Sequence, residues 1–180
     1  MTRAVPQTAT QAVPAIPVAE TLRREIEAFL FLEARLADES RYAEWETLVT
    51  DDMHYWVPKG AADYDPATRL SYINDNRARL ATRIRQLQSG LRHAQTPVSP
   101  MRRILGNIEV LAADHAAGEY RVGANFVLYE LSVQATGPLR VWPGRATHDL
   151  RRVAGSLRMA RKVVELVTSS EALPNLAFLI

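Results

Sequence analysis

Residues 29–58, FLFLEARLADESRYAEWETLVTDDMHYWVP, contain the pattern that decides the fold of this 180-residue chain. Within this stretch and just before it, apolar residues recur at spacings of 3 and 4, and these residues are Leu22, Ile26, Phe29, Leu32 and Leu36. Such spacing aligns apolar side chains along one side of a helix, which we expect to begin near Glu20. An apolar stripe on a helix has to pack against another element of the fold.

The rest of the stretch predicts a short second helix and a strand. Asp38 and Ser40 are residue types that commonly cap the N-terminus of a helix. The apolar residues of this second helix, which we expect to stop near Thr50, are Tyr42, Trp45, Leu48 and Val49. Residues 53–57 then form a strand that Pro58 ends, because proline cannot donate to a sheet hydrogen bond.

Farther along, the pattern predicts a short strand over residues 70–73 and a third helix. Asn74 or Asp75 can cap this helix, and Gly90 stands where the helix would end. Its apolar stripe consists of Leu80, Ile84, Leu87 and Leu91. Its remaining surface carries Arg77, Arg79, Arg83 and Arg85.

The second half of the chain changes to an alternating pattern of period two. In the first alternating segment, one set of side chains comprises Ile104, Gly106, Ile108 and Val110, and the other comprises Arg103, Leu105, Asn107 and Glu109. Residues 120–129, 139–153 and 157–167 predict three more strands, with a hairpin turn at residues 154–156 and a bend or bulge at Pro143-Gly144. Helices followed by an antiparallel meander indicate an α+β domain, with the helices on one face of the sheet.

The size and composition of the chain limit its domain organisation and its compartment. With 180 residues, 47% of them hydrophobic, we expect a single domain over residues 18–180. Residues 1–17 contain three prolines and no periodic pattern, so we expect a flexible tail. No apolar run approaches the roughly 18 to 20 residues of a membrane span, and no secretory signal is evident. We therefore expect a cytoplasmic protein that does not bind membranes.

Charge and residue types exclude several classes of function. The net charge of +2, with basic residues spread among 20 acidic ones, argues against nucleic-acid binding. The sequence has no cysteine, which excludes disulfides, thiolate nucleophiles and cysteine-ligated clusters. Its four histidines, none of which form an i, i+4 pair, are His54, His93, His115 and His148.

Together, these motifs resemble the small (beta) subunits of Rieske-type aromatic-ring-hydroxylating dioxygenases. The residues that match the family's opening motif are Glu33, Ala34, Arg35, Leu36, Tyr42, Glu44, Trp45, Leu48, Thr50, Asp51, Asp52, Tyr55, Trp56 and Pro58. Residues 120–129, 144–152 and 157–166 resemble three of its strands, and residues 175–180 resemble its short apolar C-terminal strand. One segment departs, because Arg102-Arg103 stands where many members carry Arg-His.

The resemblance implies both a fold and a function. The implied fold is a cystatin-like or NTF2-like cone, in which a curved antiparallel sheet packs against N-terminal helices. The implied function is that of a structural small subunit, which supports assembly of the catalytic large (alpha) subunit in the breakdown of aromatic compounds. This chain is expected to form the trimeric core of an α3β3 hexamer. If arginines on the sheet hold that oligomer, reversing the charge of Arg151 and Arg152 is expected to dissociate it.

The resemblance also implies that the cofactors lie in the partner. A Rieske 2Fe-2S cluster needs cysteine and histidine ligands, and a mononuclear iron site needs two histidines and a carboxylate. Both are expected in the large subunit. We predict no catalytic, cofactor-binding or metal-binding residue in this chain.

Two other functions remain open from the sequence. The same fold hosts small dehydratases and isomerases, so His54 and Asp52, which share one face of a strand, could act with tyrosines in the cone of a free-standing enzyme. A ligand-binding or interaction module without an enzyme partner is the other alternative. The three tryptophans are Trp45, Trp56 and Trp142. They could line a pocket, although large aromatic residues more often anchor cores or interfaces.

Overall fold

The computed structural model describes residues 16–89, 98–131 and 139–180. Its elements, in chain order, are α1 (Glu20–Asp38), α2 (Tyr42–Glu46), β1 (Val49–Pro58), β2 (Ser71–Asn76), α3 (Arg77–Gln88), β3 (Met101–Asp114), β4 (Glu119–Leu131), β5 (Leu139–Val153) and β6 (Ser156–Leu166). The strands form one sheet in the order β2-β1-β6-β5-β4-β3. The predicted α+β class is confirmed, with the correction that the sheet is mixed, because β1 runs parallel to β6.

The two faces of the sheet differ in what covers them. On the helix-covered face, side chains such as Tyr55, Leu128 and Val164 pack with Ile26 and Leu30 of α1 in one buried hydrophobic cluster. Side chains alternate along a strand, so the residues next to these in sequence point to the opposite face. We call that opposite face the outer face.

The helical elements follow the predicted stripes, but α2 is shorter than expected. The helix α1 begins at Glu20, as its spacing predicts. The helix α2 ends at Glu46, so the prediction that Leu48 and Val49 belong to it is wrong. Val49 instead pairs with Met159 of β6 at the start of β1, where a β-branched side chain fits well.

The predicted helix caps are also wrong. Asp38 is the last residue of α1, and its carboxylate accepts hydrogen bonds from Arg103 instead of capping α2. Ser40 lies in the connection with a positive φ of 56°, and no side chain caps α2. The cap of α3 is Asn76, whose Oδ1 accepts from the backbone N–H of Arg79 at 3.0 Å.

Pairing with β1 explains the position of the α3 cap. Asn74 and Asp75, the two predicted caps, pair with Trp56 and Tyr55 and therefore belong to β2. Leu70 is 85% exposed and precedes this strand. Gly90 and Leu91, the predicted end of α3, lie outside the described residues, as do residues 1–15 of the predicted tail.

A bulge in β3 reverses the predicted alternation in the first half of that strand. Asn107 has a positive φ of 48°, and β3 gains an extra residue relative to β4 between Gly106 and Glu109. Before the bulge, Arg103 and not Ile104 points toward the helices, and Ile104 is 65% exposed. After the bulge, Val110 is buried.

The strand β5 contains no bulge where one was predicted. Its pairing with β4 continues without a register shift through Pro143 and Gly144. Gly144 instead permits close packing, because a Cβ there would lie 2.7 Å from the backbone oxygen of Glu165 and 2.9 Å from the ring of Phe126. The hairpin to β6 turns through Ala154 and Gly155, both with positive φ, as its sequence predicts.

The C-terminal segment lies in the core without forming a strand. Phe178, Leu179 and Ile180 are all buried. Backbone groups of this segment form hydrogen bonds with side chains. The Ile180 N–H donates to Tyr55 Oη at 3.0 Å, and the Leu179 carbonyl accepts from Arg103 at 2.9 Å. The expected C-terminal strand is therefore wrong, although its apolar character correctly indicates burial.

A buried charged network joins α1 and α2 to the sheet. Glu33 Oε1, on α1, accepts hydrogen bonds from Lys162 Nζ of β6 at 2.8 Å and from Trp45 Nε1 of α2 at 2.7 Å. Burial opposes ionisation of Glu33, but the positive charges of Lys162 and Arg103 outweigh it and lower its pKa to about 2. Removing one partner of such a pair leaves an uncompensated buried charge, at a cost of about 3 to 5 kcal/mol.

His148 lies on the same face as this network and is held neutral. Its side chain is buried, and neither ring nitrogen has a hydrogen-bond partner among the described residues. Burial, aided by the positive charge of Lys162, lowers the pKa of His148 to about 4. The unfolded chain therefore binds a proton at this residue more readily than the folded chain does.

The packing at Gly144 predicts that Gly144→Ala destabilises the protein by about 1 to 3 kcal/mol, because the new methyl group overpacks a rigid contact with backbone. Gly106→Ala is the matched control, since nothing lies within 4 Å of a Cβ at that position of β3. We expect the free energy of unfolding of Gly106→Ala to stay within about 0.5 kcal/mol of the wild-type value. Urea unfolding followed by tryptophan fluorescence measures both, and equal stabilities would contradict the packing argument.

The burial of His148 predicts a loss of stability between pH 6.5 and pH 4, the range in which only the unfolded histidine is protonated. We expect this residue to contribute up to about 3 kcal/mol of that loss. In His148→Leu the loss of stability over this pH range should be smaller by this amount, while protonation of carboxylates lowers the stability of both proteins equally. Urea unfolding at pH 7, 5.5 and 4 tests this, and parallel pH profiles would show that His148 is not held neutral.

Candidate functional site

The outer face carries an exposed apolar patch at one end of strands β3, β4 and β5. Ile104 is 65% exposed and pairs with Val127, and Val141 is 51% exposed and pairs with Tyr129. We define the apolar patch as Ile104, Val127, Tyr129, Leu131, Leu139 and Val141. Contiguous exposed apolar side chains on a sheet face are typical of surfaces that bind another protein.

The opposite end of the outer face forms a charged hollow with a volume of about 510 Å³. We define the charged hollow by the charged residues and the histidine that line it, which are Asp52, His54, Asp114, Glu119, Arg121, Asp149, Arg151 and Arg161. Between the hollow and the apolar patch, Arg145 bonds to Glu109 at 2.6 Å. The outer face therefore consists of an apolar part and a charged part on one continuous sheet.

Most charges in the hollow are neutralised within the chain. Arg121 forms a two-pronged ion pair with Asp149, with distances of 2.6 and 3.1 Å. Arg151 bonds to Asp52 at 3.0 Å and to Glu119 at 3.2 Å. Hydrogen bonding from Thr50 and Arg151 lowers the pKa of Asp52, which keeps its carboxylate charged.

His54 lies in the hollow, but it does not form the predicted pair with Asp52. Its Nε2 is 2.8 Å from Asn74 Oδ1. The amide nitrogen of Asn74 donates to the Pro66 carbonyl, which leaves Asn74 Oδ1 as the acceptor and implies a proton on His54 Nε2. Asp52 is bound to Arg151 instead. His54 and Asp52 both lie on the outer face and not inside the cone.

The interior of the cone does contain two polar groups within 3 Å of each other, but the role of this pair is structural. Glu33 and Lys162 are fully buried, and Trp45 uses the same carboxylate oxygen. A general base needs access to a reacting proton. The pair is enclosed by the hydrophobic cluster, so its geometry supports a role in holding the helices on the sheet.

The three tryptophans are buried anchors and not the lining of an open pocket. Trp45 donates to Glu33, Trp56 donates to Ser71 Oγ at 2.8 Å, and Trp142 donates to Glu130 at 3.0 Å. Each indole therefore combines apolar burial with a satisfied N–H group.

The structure corrects the expectation that Arg151 and Arg152 form one contact surface. They are adjacent on β5, so their side chains point to opposite faces of the sheet. Arg152 bonds to both carboxylate oxygens of Glu25 on α1, at 2.8 and 2.7 Å. Reversing the charge of Arg152 would break a contact inside the chain and would not report on a subunit interface.

Three features of the site were not predicted from the sequence: the apolar patch, the Glu33–Lys162 pair and Arg161 in the hollow. The pair had a visible signal, because Glu33 interrupts the apolar stripe of α1 and Lys162 occupies an inward position of β6. The patch had none, because the β3 bulge determines which side Ile104 faces. No cluster of three or more potential metal ligands and no helix suited to span a membrane occurs in the described parts of the chain.

The fold matches that of known dioxygenase subunits. A structure of naphthalene 1,2-dioxygenase with indole bound in the active site superposes with a TM-score of 0.77 at 16% identity, covering 91% of this chain and 88% of the matched chain. The beta subunit of benzoate 1,2-dioxygenase from Burkholderia mallei superposes with a TM-score of 0.70 at 19% identity, over 91% of this chain and 99% of that one. The expected NTF2-like fold is confirmed.

Sequence comparison identifies the family. The profile of the ring hydroxylating beta subunit matches residues 32–170. The chain is 28% identical to the beta subunit of biphenyl 2,3-dioxygenase from Rhodococcus jostii, over 96% of both proteins. It is 35% identical to the small oxygenase component of a p-cumate 2,3-dioxygenase system from Pseudomonas putida, over 78% of this chain and 76% of the relative. This chain belongs to the family of ring-hydroxylating dioxygenase beta subunits.

Proposed function

We propose that this chain is a structural small subunit that binds a catalytic large subunit of an aromatic-ring-hydroxylating dioxygenase in the cytoplasm, and that three copies form the core of an α3β3 hexamer. The observation that carries the proposal is the exposed apolar patch on a member of the beta-subunit family. Val141 is more than half exposed, and a partner that covers such side chains removes apolar surface from water, which lowers the free energy of the complex.

The cofactors of the complex belong to the large subunit in this proposal. This chain has no cysteine, so it cannot supply the thiolate ligands of a Rieske 2Fe-2S cluster. The mononuclear iron is likewise assigned to the large subunit. The substrate is an aromatic ring, the class of compound named for relatives such as the biphenyl and p-cumate dioxygenases.

Co-expression with the large-subunit gene of the same organism tests the assembly. We expect an iron-containing complex with the mass of three large and three small chains. The small chain should contain no iron when it is isolated from that complex. A small chain that purifies alone from such a co-expression would contradict the proposal.

The apolar patch predicts that Val141→Glu combined with Ile104→Glu prevents assembly, because two charges would have to be buried without partners. We expect the apparent mass to fall from that of the complex to that of the free small chain. Val167→Glu is the control, since Val167 is 74% exposed and lies outside the patch. Complex formation by the double variant, with its fold intact by circular dichroism, would show that another surface forms the interface.

The position of His54 predicts that His54→Ala leaves turnover of the assembled dioxygenase within about two-fold of the wild type. The variant loses one hydrogen bond, to Asn74, worth about 1 kcal/mol of stability. Steady-state turnover of purified complexes, normalised to iron content, measures the effect. A drop of 100-fold or more in an intact complex would instead show that His54 takes part in catalysis.

A further inference from the structure

The two strands at the edges of the sheet differ in length. The strand order places β2 at one edge and β3 at the other. The strand β2 has six residues and continues directly into α3, whereas β3 has 14 residues. A long edge strand presents a row of N–H and C=O groups on which a strand of another chain can pair. The β3 edge is therefore the longer of the two places where this sheet could be extended.

The surroundings of the β3 edge favour such pairing. A groove with a volume of about 440 Å³ lies between α1 and residues 102–105 of β3. Two apolar side chains that line it are largely exposed, with Phe31 at 52% and Ile104 at 65%. An accessible edge strand with exposed apolar side chains is a typical site of association between copies of a protein. Without protection, this edge is expected to pair with a strand of a second copy.

Asp38 occupies a hydrogen-bonding position on that edge. Its Oδ2 accepts the backbone N–H of Arg103 at 2.7 Å, so this N–H points away from β4. Its Oδ1 accepts from Arg103 Nε, also at 2.7 Å, and neither side chain is more than 6% exposed. The buried ion pair fixes the carboxylate against the edge. One carboxylate oxygen thus stands where a carbonyl oxygen of an incoming strand would have to lie.

The position of Arg103 makes this contact effective. Backbone groups of a strand alternate in direction, so the N–H groups of Met101 and Leu105 face the same way as that of Arg103. Asp38 therefore blocks the middle of the regular stretch that precedes the bulge at Asn107. Beyond the bulge, the Val110 carbonyl accepts the N–H of Ile16 at 3.0 Å, which occupies the edge a second time.

We propose that Asp38 is an edge cap, a residue that closes β3 to strand pairing and prevents copies of this chain from joining by extension of the sheet. The excluded partner is an extended strand of a second copy. Closing the edge leaves the faces of the sheet for contacts with other subunits. The proposal concerns the small chain alone and does not depend on the large subunit.

Two double variants that differ in one hydrogen-bond acceptor test the edge cap. The first combines Asp38→Leu with Arg103→Leu, and the second combines Asp38→Asn with Arg103→Leu. Both remove the buried ion pair together, but only asparagine keeps an oxygen that can accept the N–H of residue 103. We expect the first variant to form oligomers larger than the wild-type species about 10-fold faster than the second, because its free N–H gains a partner on pairing. Light scattering at equal protein concentration measures this growth.

Hydrogen exchange at residues 103 and 105 shows which surface associates. Before association, the amide of residue 103 should exchange faster in the leucine double variant than in the asparagine double variant. In the oligomers, the amides of residues 103 and 105 should both become protected, because an added strand would bond to them. Oligomers in which neither amide is protected would show association through another surface and would overturn the proposal.

Gly144→Ala is the control for lost stability, because its overpacked contact involves Phe126 and Glu165 and lies away from the β3 edge. Growth of Gly144→Ala as fast as that of the leucine double variant would show that instability causes association. Equal growth of the two double variants would show that the acceptor at residue 38 does not close the edge. Either result would overturn the proposal.

Circular dichroism and urea unfolding establish that each variant is folded. If the leucine double variant does not fold, Asp38→Met with Arg103→Met replaces it, since methionine also lacks a strong acceptor and its flexible side chain fills irregular space. All measurements use the small chain by itself. Their outcome is therefore independent of whether the chain binds the large subunit, which the co-expression experiment decides.

Discussion

The buried bond between Glu33 and Lys162 is the interaction on which the rest of the structure depends. It joins α1 to β6 across the interior of the cone, and Trp45 brings α2 to the same carboxylate. Because a buried carboxylate and a buried ammonium are each costly without the other, the helices have one favourable position on the sheet. The interior that results is filled with side chains.

The first of two bulges in β3 determines what the outer face presents. The bulge at Asn107 turns Arg103 inward, where it bonds to Asp38 at the end of α1 and to the carbonyl of Leu179. The same change turns Ile104 outward beside Val127. One local irregularity thus contributes both to the attachment of α1 and to the apolar patch, because a shift of one residue moves every side chain of a strand to the other face.

The outer face combines two kinds of contact in a way that suits a subunit of a larger assembly. Its ion pairs, such as Arg121 with Asp149, are largely complete within the chain and leave little net charge for partners to neutralise. Among the described residues of the hollow, Arg161 and Asp114 have no ion-pair partner, and Arg161 lies against the ring of Trp56. The cone of this fold can also hold catalytic groups, but fold alone does not assign that role. Here the His54 and Asp52 side chains lie outside the cone and bind other partners.

The sequence by itself determined the number, order and type of most elements, because the periods of three to four and of two are local properties of the chain. It also determined the family, through motifs such as Glu33–Leu36 and Thr50–Pro58, and the absence of cysteine ligands. Tertiary structure decided the caps, the direction of β1 relative to β6, and the burial of the C-terminal segment without a strand. It also decided which charges pair, since Glu33 and Lys162 are 129 residues apart and meet only when the helix packs on the sheet.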